Sequence, residues 1–223
     1  LNTLFTYSPE AITFERLTGR YKNAFFDVSG TAKSSSGGTP MVDLSGEAEL
    51  DLKDLPALFP TTAESIKNYR LSGKTTIRGQ FTGDAAHWQD WQYNLTGTSP
   101  QFSIWGLNLE NIKFNAVQKN NLLKPFHLWG DFYTGEFNLV ASLDTAKKEL
   151  PLELVVRILN SDLKKLKADT PFKKQSLAGI LSATAIIDGT MADLTKLNGK
   201  GGVEIVAYHA KRIIEQQSER AWN

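Results

Sequence analysis

The chain lacks several features that would tie it to a familiar chemistry. Its 223 residues contain no cysteine, which excludes disulfides, a thiolate nucleophile and cysteine-based metal sites. No apolar run approaches the length of about 18 residues that a membrane-spanning helix needs. Basic and acidic residues number 25 and 24, and the resulting net charge of +1 is too small to favour binding to nucleic acid or to a membrane surface.

No catalytic or metal-binding constellation can be recognised in the sequence. The three histidines, His87, His127 and His209, are isolated from one another, and none is assigned a metal role. A nucleophile elbow, a P-loop, a dinucleotide-binding fingerprint and a calcium-binding loop are also absent. We therefore expect no enzyme activity, no cofactor and no metal site.

Alternation of apolar and polar residues dominates the chain and predicts a mainly β protein. In the segment 42–52 every even position is apolar or glycine, and every odd position is polar. This period of two is typical of a strand with one dry face. Five more segments show the same pattern: 74–81, 137–143, 150–158, 181–187 and 203–207. Polar segments at 33–40 and 144–148 predict hairpin-like connections, so most strands should be antiparallel.

Helical patterning is brief. One or two short helical turns are expected within 52–69, which contains two prolines. A second short helix is expected at 162–167, with Asp162 as its capping residue. Residues 208–223 form a polar tail in which a further helix is expected.

An internal repeat connects two parts of the chain at a constant offset of 106 residues. Each copy contains Leu, a small residue and Gly, then a second Gly ten residues later, then two bulky apolar residues three apart. The first copy is Leu71-Ser72-Gly73, Gly83, Trp88 and Trp91, and the second is Leu177-Ala178-Gly179, Gly189, Leu194 and Leu197. An acidic-Leu pair precedes each copy, at Asp54-Leu55 and Asp162-Leu163. We predict repeat-like units at about 42–117 and 150–207 within one continuous sheet, and no linker divides residues 1–223.

The aligned positions also suggest a role for two tryptophans. Trp88 and Trp91 stand where the second copy has Leu194 and Leu197. A position that accepts either Trp or Leu requires apolar volume rather than a flat stacking surface. We therefore predict that both tryptophans fill an end or seam of the sheet.

In this order of motifs the chain resembles the AsmA-like family of Gram-negative envelope proteins, the AsmA, TamB and YhdP type. The resemblance is carried by the second copy, from Leu177-Ala178-Gly179 through Gly189 and Leu194-x-x-Leu197 to the strand at 203–207. The first copy departs from the pattern, since tryptophans replace leucines and Tyr93 stands where Gly199 aligns.

The resemblance implies a long, curled antiparallel sheet, often called a β-taco, with an apolar inner groove and short helical inserts. It also implies a periplasmic segment of an inner-membrane-anchored protein that moves phospholipids towards the outer membrane. The partners would be phospholipid acyl chains and other envelope proteins, with no nucleic acid, and membrane association would come from a region outside this chain. The chain begins in strand-like sequence, so we expect it to be a segment of a longer protein.

Within each strand the apolar residues occupy every second position, so they point to the same side of the sheet. This predicts one continuous face that shelters acyl chains. The residues expected to line this groove are Leu44, Ala48, Leu50, Ile77, Phe81, Phe137, Leu139, Leu143, Leu152, Leu154, Val203 and Ile205.

Two other architectures fit the same alternation. One is a closed β-sandwich that acts as a scaffold or interaction module for another envelope protein. The other is a lipocalin-type cup that holds one small lipid. The sequence does not decide between these architectures. The alternation shows which residues share a face of the sheet, but it does not show what covers that face.

Overall fold

A computed structural model of the chain describes residues 1–34, 38–58, 63–87, 90–174, 178–191, 193 and 196–207. None of the helices in these ranges has the length and apolarity that spanning a bilayer requires. The predicted tail at 208–223 and the predicted seam residue Trp88 lie outside the described residues.

Twelve strands form one antiparallel sheet in which each strand pairs with the next one along the chain. The strands are β1 (Asn2–Tyr7), β2 (Ala11–Tyr21), β3 (Ala24–Lys33), β4 (Met41–Asp51), β5 (Ser72–Asp84), β6 (Gln92–Ile104), β7 (Leu107–Lys119), β8 (Leu122–Phe132), β9 (Gly135–Asp144), β10 (Pro151–Asp162), β11 (Ile180–Thr190) and β12 (Asn198–Val206). The mainly β, antiparallel prediction is confirmed. The sheet is not closed, since β1 and β12 do not pair with each other.

Tight two-residue turns join several of the strands. Trp105-Gly106, Asn120-Asn121 and Tyr133-Thr134 have positive φ at both residues, between 48° and 85°. This backbone shape matches the right-handed twist of the flanking strands and keeps a hairpin in register.

Two longer connections carry the helices. Between β4 and β5 lie a 3₁₀ turn (Leu52–Asp54), α1 (Leu55–Leu58) and α2 (Ala63–Asn68). Between β10 and β11 lies α3 (Leu163–Ala168), as the sequence predicted. Because both connections follow even-numbered strands of an alternating sheet, they lie at the same end, which we call the insert end.

Each insert begins with a capping aspartate followed by a buried leucine. Asp51 accepts a hydrogen bond from the backbone N–H of Lys53, and Asp162 accepts from those of Lys164 and Lys165. Leu52 and Leu163 follow them, and both are buried. The equivalent pairs are therefore Asp51-Leu52 and Asp162-Leu163, whereas the sequence pairing had used Asp54-Leu55.

The repeated glycines occupy similar places in the sheet. Gly73 and Gly179 both have positive φ, 124° and 149°, where β5 and β11 begin. A Cβ at Gly83 would lie 2.4 Å from the Trp91 ring, and one at Gly189 would lie 2.9 Å from the Leu197 side chain. Superposition of the two whole units stays a prediction.

The buried core is small and lies near the insert end. Leu109, Ile112 and Phe132 form its centre, and Leu166 of α3 packs against them. Most strand residues in the described ranges are half-buried or exposed rather than buried. The sheet therefore leaves much of its surface uncovered.

Glycines allow large side chains to lie flat on the sheet. A Cβ at Gly97 would lie 2.2 Å from the ring of Phe114, its partner on β7. A Cβ at Gly202 on β12 would meet no atom within 4 Å.

We predict that Gly97→Val lowers the free energy of unfolding by about 1–3 kcal/mol, because the Phe114 ring must move. Gly202→Val is the matched control and should leave stability nearly unchanged. Urea denaturation of both variants measures the effect, and equal losses would contradict this account of Gly97.

Candidate functional site

The register of the sheet assembles a continuous apolar surface on one face. Residues that pair directly across antiparallel strands point to the same side. One such row, which we call the central row, crosses eleven strands and contains only apolar residues and glycine. Its members are Gly19, Phe26, Ala48, Ile77, Gly97, Phe114, Leu128, Leu139, Val156, Ala185 and Gly201.

Two more rows run beside the central row, on the side away from the insert end. The nearer row comprises Thr3, Leu17, Val28, Gly46, Gly79, Leu95, Ala116, Phe126, Ala141, Leu154, Ile187 and Gly199. The farther row is apolar except for Tyr93 and the polar Gln118, and it comprises Phe5, Phe14, Gly30, Leu44, Phe81, Tyr93, Gln118, Leu123, Leu143, Leu152 and Gly189. The three rows together form what we call the apolar face.

The opposite face is mainly polar. A row in register there is polar across β3 to β8 (Asp27, Glu47, Arg78, Thr96, Asn115 and His127) and continues with Val140, Val155 and Ile186 on β9 to β11. Glu47 and Arg78 form an ion pair across β4 and β5. The two faces therefore differ in chemistry from β3 to β8.

All twelve residues predicted to line a groove lie on the apolar side of the sheet. Ala48, Ile77 and Leu139 belong to the central row. Leu44, Phe81, Leu143, Leu152 and Leu154 belong to the other two rows, and Leu50, Phe137, Val203 and Ile205 lie towards the insert end. Phe137 packs against the buried core, whereas Val203 and Ile205 on edge strand β12 are exposed. Contact of these residues with lipid stays a prediction.

Sequence reasoning missed several large residues of the apolar face. Phe114 and Leu128 are in the central row, and Leu95 and Phe126 are in the next one. The signal was present, because Ile112, Phe114 and Ala116 alternate with polar neighbours, as do Phe126 and Leu128.

A small polar network lies at the end of the apolar face opposite the inserts. Gln118 is buried, and its Nε2 donates to the carbonyl of Trp91 at 3.0 Å. The Tyr93 hydroxyl donates to Gln118 Oε1 at 3.1 Å. The indole N–H of Trp91 donates to the carbonyl of Asp84, and its ring packs edge-on to Phe81. Trp91 thus packs at an end of the sheet, as its alignment with Leu197 had predicted.

At the insert end, hydrogen bonds fasten the α3 connection over the core. The Tyr133 hydroxyl donates to Asp169 Oδ2 at 2.7 Å, and Asn108 Nδ2 donates to the same oxygen at 2.9 Å. The backbone N–H of Asn108 donates to the Tyr133 hydroxyl. We call this group the α3 latch, since it holds Leu166 against the buried core.

Tyr133→Phe should loosen the α3 connection, because Asp169 and the Asn108 N–H each lose a partner. We expect a loss of about 1 kcal/mol in the free energy of unfolding and faster amide exchange at Ile112 and Phe132. Tyr21→Phe, which removes an exposed hydroxyl, is the control. Unchanged exchange in Tyr133→Phe would contradict the latch.

The latch should also depend on pH. Burial, and then the hydrogen bond to Asp169, raise the pKa of Tyr133 to about 12, whereas an unperturbed tyrosine has a pKa of about 10. The folded chain holds this proton more tightly, so the stabilisation is complete below about pH 10 and is lost as the pH rises through about 12. The stability difference between the natural chain and Tyr133→Phe should shrink across that interval.

Within the described ranges, no group of three or more His, Asp or Glu side chains is placed to hold a metal ion. His127 Nε2 lies 2.9 Å from Asn138 Nδ2, and His87 Nδ1 lies 3.2 Å from Asp84.

No family model, curated protein or solved structure matches the chain. The resemblance to AsmA-like proteins therefore stays a prediction, and the apolar face carries the functional argument.

Proposed function

We propose that this chain is a groove segment of an AsmA-like envelope protein and that its apolar face shelters the acyl chains of phospholipids. In this proposal the segment lies in the periplasm and supports phospholipid transport between the inner and outer membranes. The anchor in the inner membrane belongs to a region outside this chain.

The observation that carries the proposal is the continuity of the three mainly apolar rows, over which the described part of the chain places no second layer away from the insert end. Side chains such as Ile77, Leu128 and Leu139 are only half-buried, although nearly all of their cross-strand neighbours are apolar. A monomer rarely exposes a contiguous apolar surface of more than several hundred Å², and larger ones mark binding sites. This supports an occupant that is itself apolar.

The dimensions of the rows suit acyl chains. Neighbouring strands lie about 4.8 Å apart, so rows that cross eleven or twelve strands extend for roughly 50 Å. One leaflet of a bilayer's hydrocarbon core is about 15 Å thick. The face could therefore hold several acyl chains in series along its length.

The energetics favour sheltering over specific capture. Each methylene removed from water contributes about 0.8 kcal/mol, so a 16-carbon chain gains on the order of 10 kcal/mol when fully covered. The polar group Gln118 is already hydrogen-bonded to Tyr93 and Trp91, so it offers little to a lipid headgroup. A face of this kind favours movement along the rows.

We predict that Leu139→Asp abolishes binding of a fluorescent phospholipid supplied in vesicles of phosphatidylethanolamine and phosphatidylglycerol. A buried or lipid-covered carboxylate is costly to desolvate. Val140→Asp is the matched control, since Val140 is the next residue on β9, lies on the opposite face and is 41% exposed. Circular dichroism establishes that both variants keep their β content.

A photo-crosslinking residue provides a test that does not depend on the stability of Leu139→Asp. Placed at Leu154 on the apolar face, it should capture phospholipid, and placed at Val155 on the other face it should not. Equal capture at both positions would refute the proposal. Capture of a protein instead of lipid at Leu154 would favour the scaffold alternative.

A further inference from the structure

A shallow cavity of about 340 Å³ lies on the polar face of β7 to β10, on the other side of the sheet from the proposed lipid surface. The middle of the cavity is formed by four residues that pair directly across four strands: Lys113, Trp129, Asn138 and Arg157. A second row beside it contributes Asp131, Glu136 and Leu159. The cavity is within the size range of small-ligand sites, roughly 300–1,000 Å³.

Trp129 provides a flat apolar surface in the middle of this cavity. Its ring is only partly buried, and it packs against the His127 ring at a centroid distance of 4.5 Å. His127 is in turn held by Asn138, at 2.9 Å. The orientation of the tryptophan is therefore supported from beside it rather than by burial in a core.

The polar groups around Trp129 are available to a ligand. In the part of the chain that the structure describes, the indole N–H of Trp129 and the charged groups of Lys113, Glu136 and Arg157 have no hydrogen-bond or ion-pair partner. Asp131 is fixed by a hydrogen bond from Asn111 Nδ2 at 2.7 Å, which leaves its other oxygen free to accept. Donors and acceptors thus surround one aromatic plane.

The charges of the cavity select the class of ligand. Lys113 and Arg157 are balanced by Asp131 and Glu136, so the cavity favours neither an anion nor a cation. The two carboxylates would repel the phosphates of a nucleic acid. A neutral molecule with one apolar face and many hydroxyl groups satisfies both the tryptophan plane and the surrounding donors and acceptors.

We propose that this cavity binds a neutral saccharide, with the C–H face of one pyranose ring on Trp129 and its hydroxyls on Asn138, Arg157, Asp131 and Glu136. The inference does not rest on the proposed lipid function, because it concerns the opposite face of the sheet. It would give the segment a contact with glycan on one side while the other side remains apolar.

The test is titration of the ¹⁵N-labelled chain with tetrasaccharides of glucose and of N-acetylglucosamine, followed through the indole N–H signals, and isothermal titration calorimetry measures the affinity of every variant. The Trp129 signal should shift with at least one of them, and the affinity should fall about tenfold or more in Trp129→Ala. Trp129→Phe keeps an aromatic ring on the strand and should bind with intermediate affinity. Glu136→Gln and Arg157→Gln should each weaken binding without unfolding the chain.

Trp105→Ala is the matched control, since Trp105 is 58% exposed on a turn and does not line the cavity. It should leave the affinity unchanged. The proposal is overturned if neither tetrasaccharide shifts the Trp129 signal, or if Trp105→Ala lowers the affinity as much as Trp129→Ala. It is also overturned if inorganic phosphate shifts Trp129 and the saccharides do not, because the cavity would then select charge.

Discussion

The antiparallel hydrogen-bond ladder is the interaction on which the rest of this structure depends. A slip of one residue at any pairing would turn every following side chain to the other face. Several pairings contain irregularities, such as those between Glu110 and Lys113 and between Ile158 and Ser161. The apolar rows nevertheless stay on one side from β2 to β12, so the ladder converts a local alternation into a surface that spans the whole sheet.

The described residues form no second layer over most of the sheet, so its apolar side chains must be stabilised in another way. Phe26 and Phe114 lie over glycines of the neighbouring strand, so each ring is partly covered by backbone. Among the described elements, helix α3 completes the burial at the insert end, and there Ile112 is 2% exposed. Burial is therefore deepest where α3 covers the sheet, and the described residues of the remaining apolar face are mostly half-buried or exposed.

The local features of this fold could be predicted from sequence, whereas the features that depend on pairing could not. A period of two identified the strands and the apolar side of Leu44, Ile77 and Leu139, and Asp162 marked the start of α3. The rows themselves depend on which residues face each other across twelve strands, and that information is not local. The same reason explains why Asp54 was paired with Asp162, and why the cavity around Trp129, built from four strands, was missed.

The alternation of each strand also keeps the two surfaces chemically independent. On β8, Leu128 contributes to the apolar face and Trp129 to the cavity, and on β9 the neighbours Leu139 and Asn138 divide in the same way. The residues of one face can be substituted without changing the two-residue alternation that positions the residues of the other face. A single thin sheet can therefore present an apolar path on one side and a polar, aromatic site on the other, provided that the shared backbone ladder stays intact.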